Sequence, residues 1–306
     1  MRQKTLKNDI SFSGTGLHSG LHAHVKLRPA REDHGILFIR TDLKKPVSIR
    51  AEARNVTDTQ FATTIGHNGA SVATIEHLMA ALYGMGIDNA VVEIDSSEVP
   101  ILDGSASHYV DLIKEAGVSI QQRAKRYLVI KKPLKVMEKD KLAMLLPSND
   151  LKISYSIDFA HPIFDEQVFS GLFSEKVFVE EISRARTFGF LKDVELLRAN
   201  GFAKGGSLEN AVVIGDDAIL NDEGLRYPDE LVRHKVLDIM GDLALLGMPV
   251  VGHLVADRSG HTLNHSLVMK VLRHHRRWEI SESDGTPDGR RPYHLRPLYA
   301  ANTAPF

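Results

Sequence analysis

The sequence predicts an α+β protein made of two similar two-layer domains, each a sheet packed against helices. At 306 residues the chain exceeds what one hydrophobic core usually supports. In each half the predicted strands precede the helices, which favours a sheet covered by helices over a doubly wound sheet. Both halves also run through strands, an apolar helix ending in Gly-Met (Gly84-Met85 and Gly247-Met248), a strand, a loop and another helix. This echo indicates duplication of one α+β unit.

The first half shows the two-residue period of half-buried strands followed by two helices. The clearest strand is 21–28, where apolar and polar residues alternate strictly. The first helix is stopped by glycines 84 and 86, and the second by Gly117. The predicted strands are 21–28, 36–39, 47–51, 61–65, 71–74 and 89–94, and the predicted helices are 75–83 and 105–116.

A polar, basic segment at 121–126 separates the halves and predicts domains at 1–122 and 127–306. In the second half, strand 151–159 alternates with Leu151, Ile153, Tyr155, Ile157 and Phe159 on one face. Pro228 stands where a first helical residue is favoured. The predicted strands are 127–131, 142–146, 151–159, 211–214 and 250–256, and the predicted helices are 174–184, 192–200, 228–246 and 262–278.

Composition excludes several classes of function. The formal charge is −1, whereas a dedicated nucleic-acid binder is markedly basic. The chain has no cysteine, so disulfides, thiol nucleophiles and cysteine-ligated metals are excluded, while 15 histidines remain as ligand candidates. No signal peptide is visible, and the longest purely apolar run, 78–83, is far shorter than the roughly 20 residues of a membrane span. We therefore expect a cytoplasmic protein, with peripheral membrane contact left open.

The helix 228–246 carries the most informative polar pattern. His234, Asp238 and Asp242 are spaced four residues apart and form one stripe within an otherwise apolar helix. A buried carboxylate is costly unless it is paired or metal-bound, so His234 and Asp238 are candidate metal ligands. Asp242, one turn further on, is placed to orient another polar group. A solvated stripe with pairing between turns is the alternative.

Two other segments complete a candidate catalytic set. Glu76 and His77 begin the first helix without the second histidine of H-E-x-x-H, and a dipole-favoured Glu beside a packed His is the alternative. Together with His234 and Asp238, His77 makes a three-ligand set with a fourth position for water. Glu76 could then act as the base and His261 as a cationic acid. His261 could equally be a surface loop residue.

Thr187 follows Arg184-Ala185-Arg186 and precedes Phe188. Its hydroxyl could hydrogen-bond an oxyanion, although the segment also suits a plain helix end and turn.

Five ordered motifs resemble one known family. They are 14–20 (GTGLHSG), 74–82 (TIEHLMAAL), 183–190 (SRARTFGF), 233–238 (RHKVLD) and 259–264 (SGHTLN). The chain is similar, from Thr5 to about Arg276, to the zinc-dependent UDP-3-O-acyl-N-acetylglucosamine deacetylases of lipid A biosynthesis.

The resemblance implies two similar α+β domains with the metal site at their interface. It assigns zinc to His77, His234 and Asp238. It also implies five further roles, which are a general base at Glu76, an oxyanion donor at Thr187, a cation at His261, its orienting partner at Asp242 and a lysine near the substrate's charged groups at Lys235.

The family further implies a β-α-β insert, here at about 188–214, that forms a hydrophobic passage for the acyl chain. The residues assigned to substrate binding are Phe188, Leu191, Val194, Ala203, Leu208 and Val213, with Phe159 and His161 on the uridine side. The expected substrate is a UDP-linked acylated aminosugar, and the expected enzyme is a monomer that does not bind nucleic acid.

The implied reaction is hydrolysis of the substrate's N-acetyl group. Another metal amidohydrolase acting on a different acylated sugar is the runner-up. A non-catalytic sugar- or nucleotide-binding module is a third interpretation, and it is disfavoured because a binder needs no base beside a metal. Whether Glu76 or His261 protonates the leaving amine, and whether zinc or ferrous iron is used, stays open.

Overall fold

The computed structural model describes residues 1–159, 161–283 and 295–297. In the first half the strands are β1 Arg2–Leu6, β2 Ile10–Thr15, β3 His22–Pro29, β4 Ile36–Arg40, β5 Val47–Arg50, β6 Val56–Asp58, β7 Thr64–His67, β8 Ala70–Val72, β9 Ala90–Ile94 and β10 Val118–Ala124. In the second half they are β11 Arg126–Ile130, β12 Leu134–Glu138, β13 Lys141–Leu146, β14 Leu151–Ile157, β15 Gln167–Leu172, β16 Phe188–Phe190, β17 Val212–Ile214, β18 Val250–Asp257, β19 Trp278–Ser283 and β20 Leu295–Pro297.

The helices account for most of the predicted helical segments. They are α1 Glu76–Gly84, α2 Ser107–Ala116, α3 Glu175–Val177 with its π-helical continuation Phe178–Ile182, α4 Leu191–Ala199, α5 Glu230–Ala244 and α6 His261–Arg273, with short 3₁₀ turns at Ala53–Asn55 and His275–Arg277. Within the described part of the chain, no helix has both the length and the apolar character needed to cross a bilayer.

Two sheets share one strand order, and the mixture of sheets and helices confirms the predicted α+β class. The first sheet runs β2-β3-β9-β4-β5, with only β4 and β9 parallel. In the larger sheet of the second half, the five strands β12-β13-β18-β14-β15 follow the same order, with β14 and β18 parallel, and β18 also pairs in parallel with β11. The duplication and the boundary between 122 and 127 stay predictions.

Each sheet buries one face against helices. In the first sheet Val25, Leu27 and Phe38 are fully buried, and the ring of Phe12 on β2 contacts Tyr109 of α2 edge-on at 5.6 Å. In β14 the alternating residues Leu151 to Ile157 are buried as predicted. Phe159 lies beyond the strand and is 37% exposed, so the predicted strand is two residues too long.

Helices α1 and α5 cross in close contact at Gly241. A Cβ atom on Gly241 would overlap the backbone carbonyl of Glu76, so only glycine permits this approach. The contact sets the first turn of α1 directly against the turn of α5 that lies between Asp238 and Asp242. It therefore fixes the relative position of the polar residues that both helices carry.

Several segments differ from the sequence-based expectation. The polar segment 121–126 falls mostly in β10, which pairs with β1, because polar residues also suit a half-exposed two-stranded sheet. The last helix ends at Arg273 rather than 278, since Trp278 begins β19 and buries its ring against the core. The predicted strand 61–65 begins only at Thr64, because Phe61 adopts a left-handed φ of 63°. Strands β1, β2, β6, β10, β12, β15, β19 and β20 were not predicted.

The Gly241 contact makes a testable prediction. Alanine normally favours a helix interior over glycine by about 1 kcal/mol. Gly241→Ala should nevertheless lower the free energy of unfolding by about 1–3 kcal/mol, because the added carbon overlaps fixed backbone. Denaturant unfolding measures the change. Gly189→Ala is the control, since nothing lies within 4 Å of its added carbon. A Gly241→Ala protein as stable as wild type would contradict the close contact.

Candidate metal centre and active site

A cavity of about 490 Å³ gathers residues from both halves of the chain. Its walls come from the helices α1 and α5 and the start of α6. The β2–β3 loop, the loop before β7 and the segment that leads into β16 complete them. The predicted site residues that line it are Glu76, His77, Thr187, Phe188, His234, Lys235, Asp238 and His261. A second cavity of about 460 Å³, lined by Gly35, Leu246 and Arg273 among others, includes none of the predicted site residues.

His77, His234 and Asp238 converge at the floor of the cavity. Their candidate ligand atoms lie within 4.8 Å of one another, and all three residues are buried. Asp238 Oδ1 is 3.5 Å from His77 Nε2 and 3.4 Å from His234 Nε2. His234 and Asp238 stand one turn apart on α5, as their spacing predicts, and His77 faces them from the first turn of α1.

The hydrogen bonding of this triad fits a metal ion. Among the described residues, the buried side-chain atoms without a hydrogen-bond partner are Asp238 Oδ1 and His77 Nδ1. An unpaired carboxylate oxygen facing two imidazole nitrogens is costly by itself, and a cation bound by all three would offset that cost. Two nitrogens and one oxygen are donors that suit zinc.

Neighbouring groups hold the triad in place. Lys235 Nζ donates to Asp238 Oδ2 at 2.6 Å, which leaves Oδ1 toward the histidines. His234 Nδ1 lies 3.1 Å from the Ala185 carbonyl, so Nδ1 carries the proton and Nε2 is left as the ligand atom. Burial lowers the pKa of His234 to about 3, which keeps this ring neutral. Lys235 thus contacts a triad carboxylate as well as the cavity.

Beside the triad, the His261 ring lies between two carboxylates. Its Nδ1 is 3.0 Å from Asp242 Oδ2, and its Nε2 is 3.8 Å from Glu76 Oε1. Asp242 also accepts hydrogen bonds from Thr63 Oγ1 at 2.6 Å and Asn264 Nδ2 at 2.8 Å. The structure therefore brings Glu76, His261 and Asp242 together, with His261 buried rather than on the surface.

Glu76 and His261, which face each other across this part of the cavity, have pKa values that are shifted by different causes. Burial raises the pKa of Glu76, and the nearby His261 and His77 oppose that change. Burial alone would lower the pKa of His261, but the charge and hydrogen bond of Asp242, together with the charges of Glu76 and Asp238, outweigh it and raise the pKa to about 9. His261 is thus a cation at neutral pH.

Thr187 is held at the cavity by an internal ion pair. Its backbone N–H donates to Gly104 O at 2.7 Å, and its own carbonyl accepts from Val212 N at 2.8 Å. The preceding Arg186 is buried and binds Glu230, at the start of α5, through its side chain and its backbone N–H, each at 2.9 Å. The segment carrying Thr187 is therefore tied to the helix that carries His234.

The residues predicted to contact substrate fall into two groups. Phe188 lines the cavity and packs edge-on against His234 at 6.0 Å. Phe159 contacts the rings of Phe188 and Phe190, and His161 contacts that of Phe190 at 5.3 Å. Phe159 and His161 do not line the cavity, and neither do the remaining predicted residues of the segment 188–214, which are Leu191, Val194, Ala203, Leu208 and Val213.

The segment 188–214 contains a β-α-β unit. Strands β16 and β17 pair in parallel, with α4 between them. No residue of α4 is buried, and Leu191, Leu196 and Leu208 are 49%, 65% and 47% exposed. The unit therefore presents exposed leucines and meets the cavity at Phe188.

Sequence reasoning missed several residues of the site. Thr63 binds Asp242 but belongs to none of the five motifs, and Asn264, which also binds Asp242, ends the 259–264 motif without having been given a role. Glu98 is buried and accepts from the backbone N–H groups of His18 and Ser19, which shapes the 16–20 loop along the cavity. A buried acid has no sequence signal by itself, although the loop that Glu98 contacts lies in the 14–20 motif.

Comparison with known proteins identifies the family of the chain. Residues 3–273 match the family model described as LpxC, UDP-3-O-acyl N-acetylglycosamine deacetylase. A Myxococcus xanthus protein is 55% identical over 270 residues, covering 88% of this chain and 86% of its own. One from Citrifermentans bemidjiense is 54% identical, covering 89% of each chain, and one from Marinobacter nauticus is 48% identical, covering 98% and 99%. All three carry the name UDP-3-O-acyl-N-acetylglucosamine deacetylase. The chain belongs to the LpxC family of UDP-3-O-acyl-N-acetylglucosamine deacetylases.

Proposed function

We propose that this enzyme hydrolyses the N-acetyl group of UDP-3-O-(3-hydroxyacyl)-N-acetylglucosamine. The products are acetate and UDP-3-O-acyl-glucosamine, in the committed step of lipid A biosynthesis. The observation that carries the proposal is the buried triad His77, His234 and Asp238 with Glu76 and His261 beside it. The family and the names of the relatives support the substrate.

Zinc is the proposed ion, held by His77, His234 and Asp238. When bound, such an ion lowers the pKa of water to about 7 and polarises a carbonyl oxygen. The unpaired Asp238 Oδ1 and the two facing imidazole nitrogens support this assignment.

The side chains around the triad supply the remaining chemistry. Glu76 accepts the proton of the attacking water, and its raised pKa makes it a stronger base than an exposed carboxylate. The cationic His261 and the Thr187 hydroxyl, which both line the cavity, are the groups proposed to stabilise the negative charge that develops on the amide oxygen. Lys235 supports the triad by holding Asp238 in place. Asp242 supports His261 by keeping its ring charged.

The rest of the substrate is assigned to the neighbouring apolar surfaces. The acyl chain would follow the β-α-β unit along Leu191, Val194, Ala203, Leu208 and Val213, since its leucines are exposed beside the cavity. The uridine would approach Phe159 and His161. The Phe159 ring contacts Phe188 edge-on, and the His161 ring lies tilted against Phe190. A monomer acting in the cytoplasm is part of the same proposal, and contact with the inner membrane stays open.

Acetate release from synthetic UDP-3-O-acyl-N-acetylglucosamine tests the function directly. A series of acyl lengths should show rising kcat/KM until the passage is full, because each buried methylene contributes about 0.8 kcal/mol. Release from other N-acetylated sugars but not from this one would favour the runner-up amidohydrolase. If no acetate were released from any of these sugars, the non-catalytic binding module would be the interpretation that is left.

Removing a metal ligand should remove both the ion and the activity. His77→Ala, His234→Ala and Asp238→Ala proteins should each lose the one zinc per chain that wild type retains after dialysis, as measured by atomic absorption. His265→Ala is the matched control, because this histidine binds the Ala53 carbonyl instead. Full stoichiometric zinc in His234→Ala would show the ligand set to be wrong.

The two groups beside the triad should behave differently from the ligands. Glu76→Ala and His261→Ala should keep zinc, because neither residue belongs to the triad. Each should lower kcat by about 10²–10⁴-fold, the usual contribution of a proton-transfer group, and raise KM much less. Steady-state kinetics with metal analysis separates the cases. Loss of zinc from either variant would place that residue among the ligands.

The basic limb of the pH profile should report His261. The titratable groups facing it are Asp242 and Asp238 on α5, Glu76 on α1 and His18. Because Asp242 raises the pKa of His261 to about 9, activity should fall as pH rises through 9. Asp242→Asn should shift this limb to lower pH, since the neutral amide no longer stabilises the imidazolium.

The same pair links stability to pH. The raised pKa means that the pair stabilises the fold fully below about pH 6.5 and loses this contribution between 6.5 and 9. Asp95→Asn is the control, because Asp95 pairs with the exposed His24 instead.

For the activity profile, an unmoved basic limb in a zinc-loaded Asp242→Asn enzyme would exclude His261 as the acid and leave Glu76 as the only proton carrier.

A further inference from the structure

We infer that Thr63 is the positioning residue that aligns the two carboxylates on either side of the His261 ring. This inference rests on the proposed function. Thr63 is 1% exposed and contacts one oxygen of Asp242 and one oxygen of Glu76, and its Oγ1 also lies 3.2 Å from His261 Nδ1. The other oxygen of each carboxylate is the one nearest to His261.

The hydroxyl of Thr63 orients Asp242. Thr63 Oγ1 donates to Asp242 Oδ1 at 2.6 Å, while Oδ2 faces His261 Nδ1 at 3.0 Å. Asn264 Nδ2 also donates to Oδ2, at 2.8 Å. Because both oxygens have donors, the carboxylate cannot turn without breaking a buried hydrogen bond, and Oδ2 stays on the ring nitrogen.

The backbone of Thr63 orients Glu76. Its N–H donates to Glu76 Oε2 at 3.1 Å, which leaves Oε1 as the oxygen 3.8 Å from His261 Nε2. Its carbonyl accepts from Ile75 N at 3.3 Å, which anchors the residue to the start of α1. One residue thus contacts α1 through its backbone and α5 through its side chain, and it sets the spacing of Glu76, His261 and Asp242.

The local chain conformation serves this placement. Phe61, two residues earlier, has a φ of 63°, a conformation that few residues other than glycine adopt. Strand β7 begins at the next residue, Thr64. The turn therefore directs Thr63 inward at the point where the loop enters the sheet, and it is this direction that brings the hydroxyl to α5.

The hydroxyl can be tested without changing the shape of the side chain. Thr63→Val keeps the branched form but leaves Asp242 Oδ1 without this donor, whereas Thr63→Ser keeps the hydroxyl. Groups that support catalytic or metal-binding residues typically contribute about 10–100-fold to activity. Thr63→Val should therefore lower kcat by about 10–100-fold with KM nearly unchanged and zinc retained, and Thr63→Ser should restore kcat to within a few-fold of wild type.

A matched control separates positioning from general stability. Thr5 is also buried, and its hydroxyl donates to Asn89 O at 2.7 Å and accepts from Ala30 N at 2.9 Å, away from the cavity. Thr5→Val should lower Tm but leave kcat unchanged. In a His261→Ala background, Thr63→Val should cost little further activity, because the residue acts through His261. An equal cost in both backgrounds, or no rescue by serine, would overturn the inference.

Thermal unfolding tests the same contact independently of activity. Thr63→Val should lower Tm in wild type and lower it much less in an Asp242→Ala background, where the acceptor is already gone. If wild type releases no acetate, the proposed function fails while this coupling can still hold. If wild type is active but Thr63→Val matches it in kcat and the Tm losses add, the positioning role of Thr63 is wrong.

Discussion

The contact between α1 and α5 at Gly241 is the constraint on which the site depends. A side chain at this position would overlap the Glu76 carbonyl, so the two helices can approach only with glycine there. At this separation His77 from one helix and His234 and Asp238 from the other come within 4.8 Å. A wider separation would leave each histidine with only its own helix as a source of partners. The helix contact thus joins His77 at the start of α1 to the polar stripe of α5 in one ligand set.

The second requirement is that a cluster of ionisable groups be kept buried. Glu76, Asp238, Asp242 and His261 are each less than a tenth exposed, and unpaired charges in such places are strongly destabilising. Lys235, Thr63 and Asn264 offset that cost by donating to particular carboxylate oxygens. The arrangement leaves Asp238 Oδ1 without a partner, at the position where a cation would be bound. The hydrogen bonds that stabilise the buried carboxylates are therefore also the ones that set the geometry of the site.

The sequence was sufficient for the class of fold, most helices and the residues whose spacing places them on one helix face. The four-residue period alone placed His234, Asp238 and Asp242 on one face of a helix, and the alternation of apolar residues predicted strand β14. The missed elements are those that depend on distant partners. Strands β1 and β10 pair across more than 100 residues with no apolar pattern of their own, and Thr63 matters only because the fold brings it to Asp242. The ends of helices were also displaced where a core contact decided them, as at Trp278.

An anomalous-difference map at the zinc edge tests the central claim most directly. Crystals of the zinc-loaded protein should show one strong peak, bounded by His77 Nε2, His234 Nε2 and Asp238 Oδ1 at about 2.0–2.2 Å from each. The ion should lie between α1 and α5, with Glu76 and His261 beside it but unligated. A strong peak elsewhere, such as at the exposed pair His22 and His24, together with an empty triad, would contradict the account.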